Sequence, residues 1–207
     1  MKKITNLITL GIAVFSLAAC AAGNKVSEEK FKEEVNNLPE ASYTSATLTI
    51  DSLEKIEGLG SEYDTEEKVK GTFTYTYDAD KKTWVAQEED GKQFASDIFN
   101  IKSAGLDGLT YNGTDSEMAA AYKVSYYVNP LKVELTVDYK ATSETLGVTI
   151  SASIKGSASM SFDKYGYVTK CSSNMVMNDS TSGEYMGVKV DESMTVTSKV
   201  NYTVSYK

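Results

Sequence analysis

The chain contains no histidine and no arginine among its 207 residues. Without histidine it has no side chain whose ordinary pKa lies near neutrality, no Ser-His or Cys-His couple and no imidazole metal ligand. Without arginine it has no planar group that grips a carboxylate or phosphate through two parallel hydrogen bonds. Carboxylates, lysines and tyrosines remain, but these absences argue against catalysis. We predict that the chain is not an enzyme.

Sequence motifs that hold a metal ion or a phosphate are also missing. Acids occur in pairs, such as Asp78 with Asp80 and Glu66 with Glu67, but no pair has the spacing of a calcium-binding loop. The glycines are scattered, and none opens a helix directly after a strand as a phosphate-binding loop requires. We predict solvated turns at the acidic pairs, and neither a metal nor a cofactor.

Only two cysteines are present, Cys20 and Cys171. Cys171 lies in a strand-like run, where it shares its parity with Tyr167, Met175 and Met177. A buried thiol that packs as a small apolar side chain is the prediction for Cys171. The alternative, a nucleophilic cysteine, requires a positive and partly exposed setting that the sequence does not show. If Cys20 is modified, as argued next, no disulfide is expected.

The opening segment has the order of a secretory signal. Lys2 and Lys3 form a basic head, residues 7–19 form an apolar run, and residues 17–20 read Leu-Ala-Ala-Cys. The last four residues resemble the bacterial lipobox, whose cysteine is diacylated and becomes the first residue of the mature protein. That resemblance implies a lipid anchor at Cys20 and a protein on the extracytoplasmic face of a bacterial membrane.

Two other interpretations of this segment remain. A retained membrane-spanning helix needs about 20 apolar residues, and the run is shorter than that. An ordinary cleaved signal would leave Cys20 unmodified. With a lipid anchor the chain divides into a signal peptide at residues 1–19, an acylated cysteine and tether at residues 20–26, and a single β-rich domain at residues 27–207.

The mature chain is acidic. Removing residues 1–19 takes away two lysines and no acid, so the formal net charge changes from −8 to −10. Such a charge opposes binding to nucleic acid and to anionic lipid headgroups. The membrane is therefore expected as a partner through Cys20 alone, and nucleic acid is excluded.

Residue periodicity predicts a few helices and many strands. Phe31, Val35 and Leu38 share one helical face after the N-cap candidate Ser27, and Phe94 to Gly105 predicts a second, shorter helix. Alternating apolar and polar residues predict eight to ten antiparallel strands, with turns at Asn129-Pro130 and at residues 163–166. We expect a mobile loop at residues 106–121, a polar loop at residues 178–183, and a bulge or rim at Glu192 and Ser198.

The predicted fold class is α+β, mostly antiparallel β, in which a long-stranded curled sheet is covered by one or two helices. Long strands with one apolar face do not stay flat and open. The sheet must form a half-barrel around the helices, close into a barrel or fold into a sandwich, and the sequence alone leaves these three alternatives open.

The aromatic and methionine side chains are the candidate binding residues. The chain has 14 tyrosines and 7 methionines, and methionine adapts to irregular apolar ligands. The alternative is that these side chains simply fill the core between sheet and helices. The candidates for lining a ligand cavity are Phe73, Tyr75, Tyr77, Trp84, Tyr122, Tyr126, Met160, Met175 and Met177.

The lipobox cysteine, the following helix, the long strands and the hairpin Ser161-Phe-Asp-Lys-Tyr-Gly-Tyr167 together resemble the half-barrel lipoproteins of bacterial envelopes, the LolA and LprG/LppX families. That resemblance implies a cavity that holds a lipid or another apolar or amphiphilic ligand. The alternative is a surface lipoprotein with a filled core that acts through protein contacts, as an adhesin, an inhibitor or an assembly factor.

Overall fold

A computed structural model describes residues 23–58, 60, 62–106 and 116–207. The predicted signal peptide, Cys20 and most of the predicted loop at residues 106–121 lie outside these described residues.

The described chain is built on one nine-stranded antiparallel sheet. Its order is β1-β5-β6-β7-β8-β9-β2-β3-β4, and β1 and β4 stand at opposite edges without pairing with each other, so the sheet is open. This confirms the predicted fold class. The strands are β1 (Asn24–Val26), β2 (Ser45–Glu57), β3 (Thr65–Asp78), β4 (Thr83–Ala86), β5 (Tyr122–Val128), β6 (Lys132–Thr145), β7 (Val148–Phe162), β8 (Val168–Tyr185) and β9 (Val188–Tyr206).

Short helices accompany the sheet. Helix α1 (Glu28–Asn36) starts at Ser27, whose Oγ accepts a hydrogen bond from the Lys30 backbone N–H at 3.3 Å, as predicted. A 3₁₀ helix (Glu89–Asp97) and α2 (Ile101–Ala104) replace the single second helix predicted there, and α3 (Ser116–Ala121) precedes β5. Gly105, with φ 73°, ends α2.

The edge strand β1 shortens the predicted tether. Lys25 pairs with Tyr127, so residues 24–26 belong to the sheet. Only residues 21–23 are then left between Cys20, the predicted lipidation position, and the first strand.

The long hairpins end in two-residue turns. Leu146-Gly147 joins β6 to β7, and Met186-Gly187 joins β8 to β9, all four residues with positive φ. Positive φ at both central residues gives the type I′ turn, whose twist matches that of the flanking strands. These turns lie at the end of the sheet opposite the hairpin at residues 163–166.

One local prediction is wrong, and of the bulge or rim predicted at another place the bulge is excluded. The polar stretch at residues 178–183 is part of β8, because its backbone hydrogen-bonds to both β7 and β9 and its hydroxyls meet solvent on an exposed stretch of sheet. Glu192 and Ser198 introduce no bulge, since β9 keeps one register with β8 throughout. The register shifts instead between Ser161 and Phe162.

One face of the sheet holds the core. We call it the inner face; it bears Leu48, Val133, Met160 and Tyr202, and the helices pack on it. Phe31 and Val35 of α1 are buried there, as the helical spacing predicts. The opposite, outer face carries mostly polar side chains, as expected for a sheet with one solvated side.

Candidate functional site

The inner face divides into two halves. Met160, Cys171 and Tyr202 form one cross-strand row on β7, β8 and β9. The part of the inner face between this row and the strand ends near Phe162 lies under α1, α2 and the 3₁₀ helix. We call this part the covered half. From the same row to the hairpin turns at Gly147 and Gly187 lies the far half.

Aromatic side chains fill the covered half. Tyr75 is 0% exposed, and its hydroxyl donates to the Gly91 carbonyl oxygen at 2.8 Å. The ring centroids of Phe31 and Tyr126 are 5.2 Å apart, so α1 is fixed to β5 by a direct aromatic contact. Most of these side chains pack against one another and against the helices.

All nine predicted lining residues project from the inner face. Phe73, Tyr75, Tyr77, Trp84, Tyr126 and Met160 belong to the covered half and pack in one cluster. Tyr122, Met175 and Met177 lie further along the strands toward the far half. Tyr122 also packs against this cluster, so the structure brings seven of the nine together in the core. Their role in lining a ligand site stays a prediction.

A second, smaller cluster fills the middle of the inner face. Met175 and Val137 are buried there and pack against Ala121, Tyr122 and other partly buried neighbours. Met175 lies directly above Gly156: a Cβ at Gly156 would be 2.5 Å from Met175 Cγ. The lack of a side chain at Gly156 thus makes room for Met175.

Apolar side chains continue along the far half and become accessible to solvent. Met177 on β8 pairs with Ile154 on β7 and Val196 on β9 in one cross-strand row, and Met177 and Ile154 are half-buried. Beyond them the exposed fractions rise: 48% for Ile150, 64% for Val188, 72% for Leu146 and 86% for Met186. The far half is an apolar surface that solvent reaches.

The sequence interpretation missed most residues of this surface. Ile154, Met194 and Val196 are not among the predicted binding residues. They share a face with Met177 through the pairing of β7, β8 and β9, and this register is not visible from one strand's alternation.

A tyrosine cluster at the covered end was also missed. Tyr43 stacks on Tyr206 with centroids 4.9 Å apart and meets Tyr167 edge-on at 4.9 Å. Its hydroxyl donates to Asp163 Oδ2 at 2.8 Å. Burial, with help from this hydrogen bond, raises the pKa of Tyr43 to about 12. The cluster joins the segment before β2 to the β7–β8 hairpin, so its role is structural.

Burial raises the pKa of two titratable groups at the 3₁₀ helix, Asp97 in its last turn and Cys171 on β8. Cys171 is buried, as predicted, and desolvation raises the pKa of its thiol to about 12, so it stays protonated. Desolvation also raises the pKa of Asp97 from 3.8 to about 6. Tyr202, which donates to the Asp97 carbonyl oxygen at 3.3 Å, connects the two.

Replacing Asp97 by Asn tests this desolvation. The folded-state pKa of about 6 exceeds the ordinary 3.8, so on raising the pH between these values the unfolded chain loses a proton that the native protein keeps. Stability therefore falls as the pH rises through that window, by about 3 kcal/mol at most. We expect Asp97→Asn to unfold at a higher temperature than the wild type at pH 7 and to lose this advantage near pH 4.

The exposed Asp90→Asn is the matched control for that experiment, because it removes the same charge from the same helix. Its melting temperature should follow that of the wild type at every pH. If the Asp97→Asn and wild-type curves of melting temperature against pH run parallel, the buried carboxylate is not the cause.

Comparisons with known proteins add little. No protein-family model matches the chain, and no curated protein matches it. Among solved structures, Neisserial surface protein A superposes with a TM-score of 0.17 at 6% identity, covering 77% of this chain and 96% of that one. A superposition this poor carries no argument about fold or function. Within the described residues, every helix is too short or too polar to cross a membrane.

Proposed function

We propose that the chain is a lipid-anchored protein of the extracytoplasmic face of a bacterial membrane that binds an apolar or amphiphilic ligand on the far half of its sheet. The observation that carries the binding role is the continuation of the apolar inner face past the helices that cover it. Soluble proteins rarely expose a contiguous apolar surface without a use for it.

The position of the anchor supports this arrangement. Gly23 is three residue steps from Cys20, a reach of about 10 Å at most. Gly23 lies beside Tyr127, Val128 and Pro130, at the covered end of the sheet. A membrane holding Cys20 therefore faces the covered half. Strand β7, with 15 residues at about 3.3 Å each, extends the far half some 50 Å away from that end.

One buried hydroxyl on the inner face, beside the row that divides the two halves, lacks a hydrogen-bond partner among the described residues. Ser173 is 1% exposed, and in the described part of the chain its Oγ has no hydrogen-bond partner. Buried hydroxyls without partners are uncommon, because each loses its hydrogen bonds to water without a replacement.

Native mass spectrometry tests ligand binding. The protein would start at residue 20 with serine in that position, which retains every helix and strand described above. After incubation with lysophosphatidylcholine below its micellar concentration, we expect a bound complex. Met177→Ser should weaken it about 10-fold or more, because burying a methionine side chain contributes about 1.5–3 kcal/mol.

Asn178→Ser is the matched control, since residue 178 is exposed on the outer face of the same strand. It should bind as the wild type does. A clean unliganded mass for all three proteins would contradict binding on this face.

The second candidate function is a surface lipoprotein that acts through protein contacts, and the exposed hairpin turns favour it. Leu146 and Met186 are 72% and 86% exposed, at the end of the sheet opposite the anchor. A partner protein would meet these turns first. Leu146→Ser with Met186→Ser would then abolish partner capture, whereas Met177→Ser, away from the turns, would leave partner capture intact.

A further inference from the structure

The strand lysines all project from one face of the sheet. The register places each on the outer face, because each neighbours inner-face residues on both sides along its strand. They are Lys25, Lys55, Lys68, Lys70, Lys123, Lys132, Lys140, Lys155, Lys170, Lys189 and Lys199. Since the chain has no arginine or histidine, the inner face of the sheet carries no cationic side chain from its strands.

The inner face does carry four carboxylates: Glu54, Glu67, Asp179 and Glu192. On the outer face, acids are paired with the lysines, as Lys55 with Glu57 at 2.7 Å and Lys70 with Asp51 at 3.2 Å. In the part of the chain that the structure describes, none of the four inner carboxylates takes part in an ion pair.

The four inner carboxylates form two pairs of like-charged neighbours. Glu54 on β2 pairs directly with Glu67 on β3, and Asp179 on β8 is the diagonal neighbour of Glu192 on β9, two residue pairs along the register. Like charges opposite each other across strands are destabilising. The far half therefore keeps two sites of uncompensated negative charge that the fold itself does not need.

Apolar side chains lie between these two acidic sites. Ser198, the cross-strand partner of Glu54, is six residues from Glu192 along β9, which is about 20 Å. Met194 and Val196 occupy inner-face positions in that interval. A complementary ligand needs cations about 20 Å apart with apolar groups between them. A lipid with one headgroup does not have that pattern, but a peptide segment does.

We propose that the far half of the inner face docks a cationic amphipathic segment of another polypeptide. This inference rests on the proposed function and names its ligand. About 13 helical residues, or six extended ones, span the 20 Å interval. A second copy of this chain is a poor occupant, because face-to-face packing would bring carboxylates against carboxylates.

Fluorescence anisotropy with labelled 14-residue peptides tests the proposal. One peptide contains leucine and lysine in an amphipathic helical pattern, and the other has glutamate at every lysine position. The protein is again the chain from residue 20 with serine there. We expect the lysine peptide to bind at least 10-fold more tightly than the glutamate peptide, and its affinity to fall as salt is raised from 50 to 300 mM, as expected for screened charges.

Neutralising the four inner carboxylates tests whether the peptide binds on the inner face. The variant Glu54→Gln, Glu67→Gln, Asp179→Asn, Glu192→Gln should bind the lysine peptide at least 10-fold more weakly. The matched control neutralises four acids away from the inner face: Glu62→Gln, Glu144→Gln, Glu184→Gln and Asp191→Asn. It changes the net charge equally and should bind as the wild type does.

The outcomes separate this inference from the proposed function. Equal weakening in both variants would mean that net charge alone attracts the peptide, which overturns the proposal. So would equal affinity for the two peptides, or sedimentation showing a dimer that competes with the peptide. If lysophosphatidylcholine still binds in those cases, the face is a ligand site of another specificity; if it does not, the proposed function fails as well.

Discussion

Replacing Cys20 by serine is expected to move the protein almost completely from the membrane to the soluble fraction. A single acyl chain holds a protein at a bilayer only marginally, whereas two chains hold it stably, with about 0.8 kcal/mol from each buried methylene group. Serine offers no thiol for diacylation, so both chains are lost at once. Fractionation of cells expressing the full-length chain, followed by detection in each fraction, measures the effect.

Cys171→Ser is the control for that experiment. Cys171 is buried in the core, so its thiol is not a lipidation site. This variant should stay in the membrane fraction even if its stability is lower. Membrane retention of the Cys20→Ser protein, or an unchanged mass for residue 20 in the mature wild type, would contradict a lipid anchor.

Replacing Tyr75 by alanine is expected to reduce the free energy of unfolding by about 3–5 kcal/mol, the usual cost of truncating a buried aromatic side chain. Tyr75 is 0% exposed and packs under the 3₁₀ helix. The substitution also leaves the Gly91 carbonyl oxygen without the hydroxyl that donates to it at 2.8 Å. Urea unfolding followed by tryptophan fluorescence measures the loss, because Trp84 is the only tryptophan.

The same experiment decides between the two interpretations of the aromatic residues. Thr74→Ala is the control, because Thr74 precedes Tyr75 on the same strand but is exposed on the outer face. It should change the free energy of unfolding by less than about 0.5 kcal/mol. If Tyr75→Ala were as stable as the control and lost ligand binding, Tyr75 would line a cavity rather than fill the core. A large loss of stability assigns it to the core.

The sheet could be predicted from sequence because its signal is local. Alternation along β6, β7 and β9 identifies both the strands and the face that carries Val133, Met160 and Tyr202. Closure was not predictable, since the choice among half-barrel, barrel and sandwich depends on which edges meet. The polar part of β8 was missed because strands buried on neither face lack the apolar alternation that marks a strand.

The binding surface was less predictable than the fold. Burial of Tyr75 and Tyr126 depends on where α1 and the 3₁₀ helix pack, and this is a tertiary property that periodicity does not report. The charge asymmetry between the two faces of the sheet could be predicted from the sequence, however. Once the strands are assigned, parity within each strand places Glu54 on the side of Leu48, Glu192 on the side of Met194, and every strand lysine on the side opposite its strand's apolar residues.

Methyl NMR of the methionines is the most direct test of the central claim that the far half of the inner face binds the ligand. The protein from residue 20 onward has six methionines, and they sample different places: Met177 and Met194 on the far half, Met160 in the core and Met186 at a hairpin turn. On titration with the leucine-lysine peptide, we expect the Met177 and Met194 signals to shift while the Met160 signal stays in place. Shifts confined to Met186, or no shift at Met177 and Met194 at saturating peptide, would contradict the account.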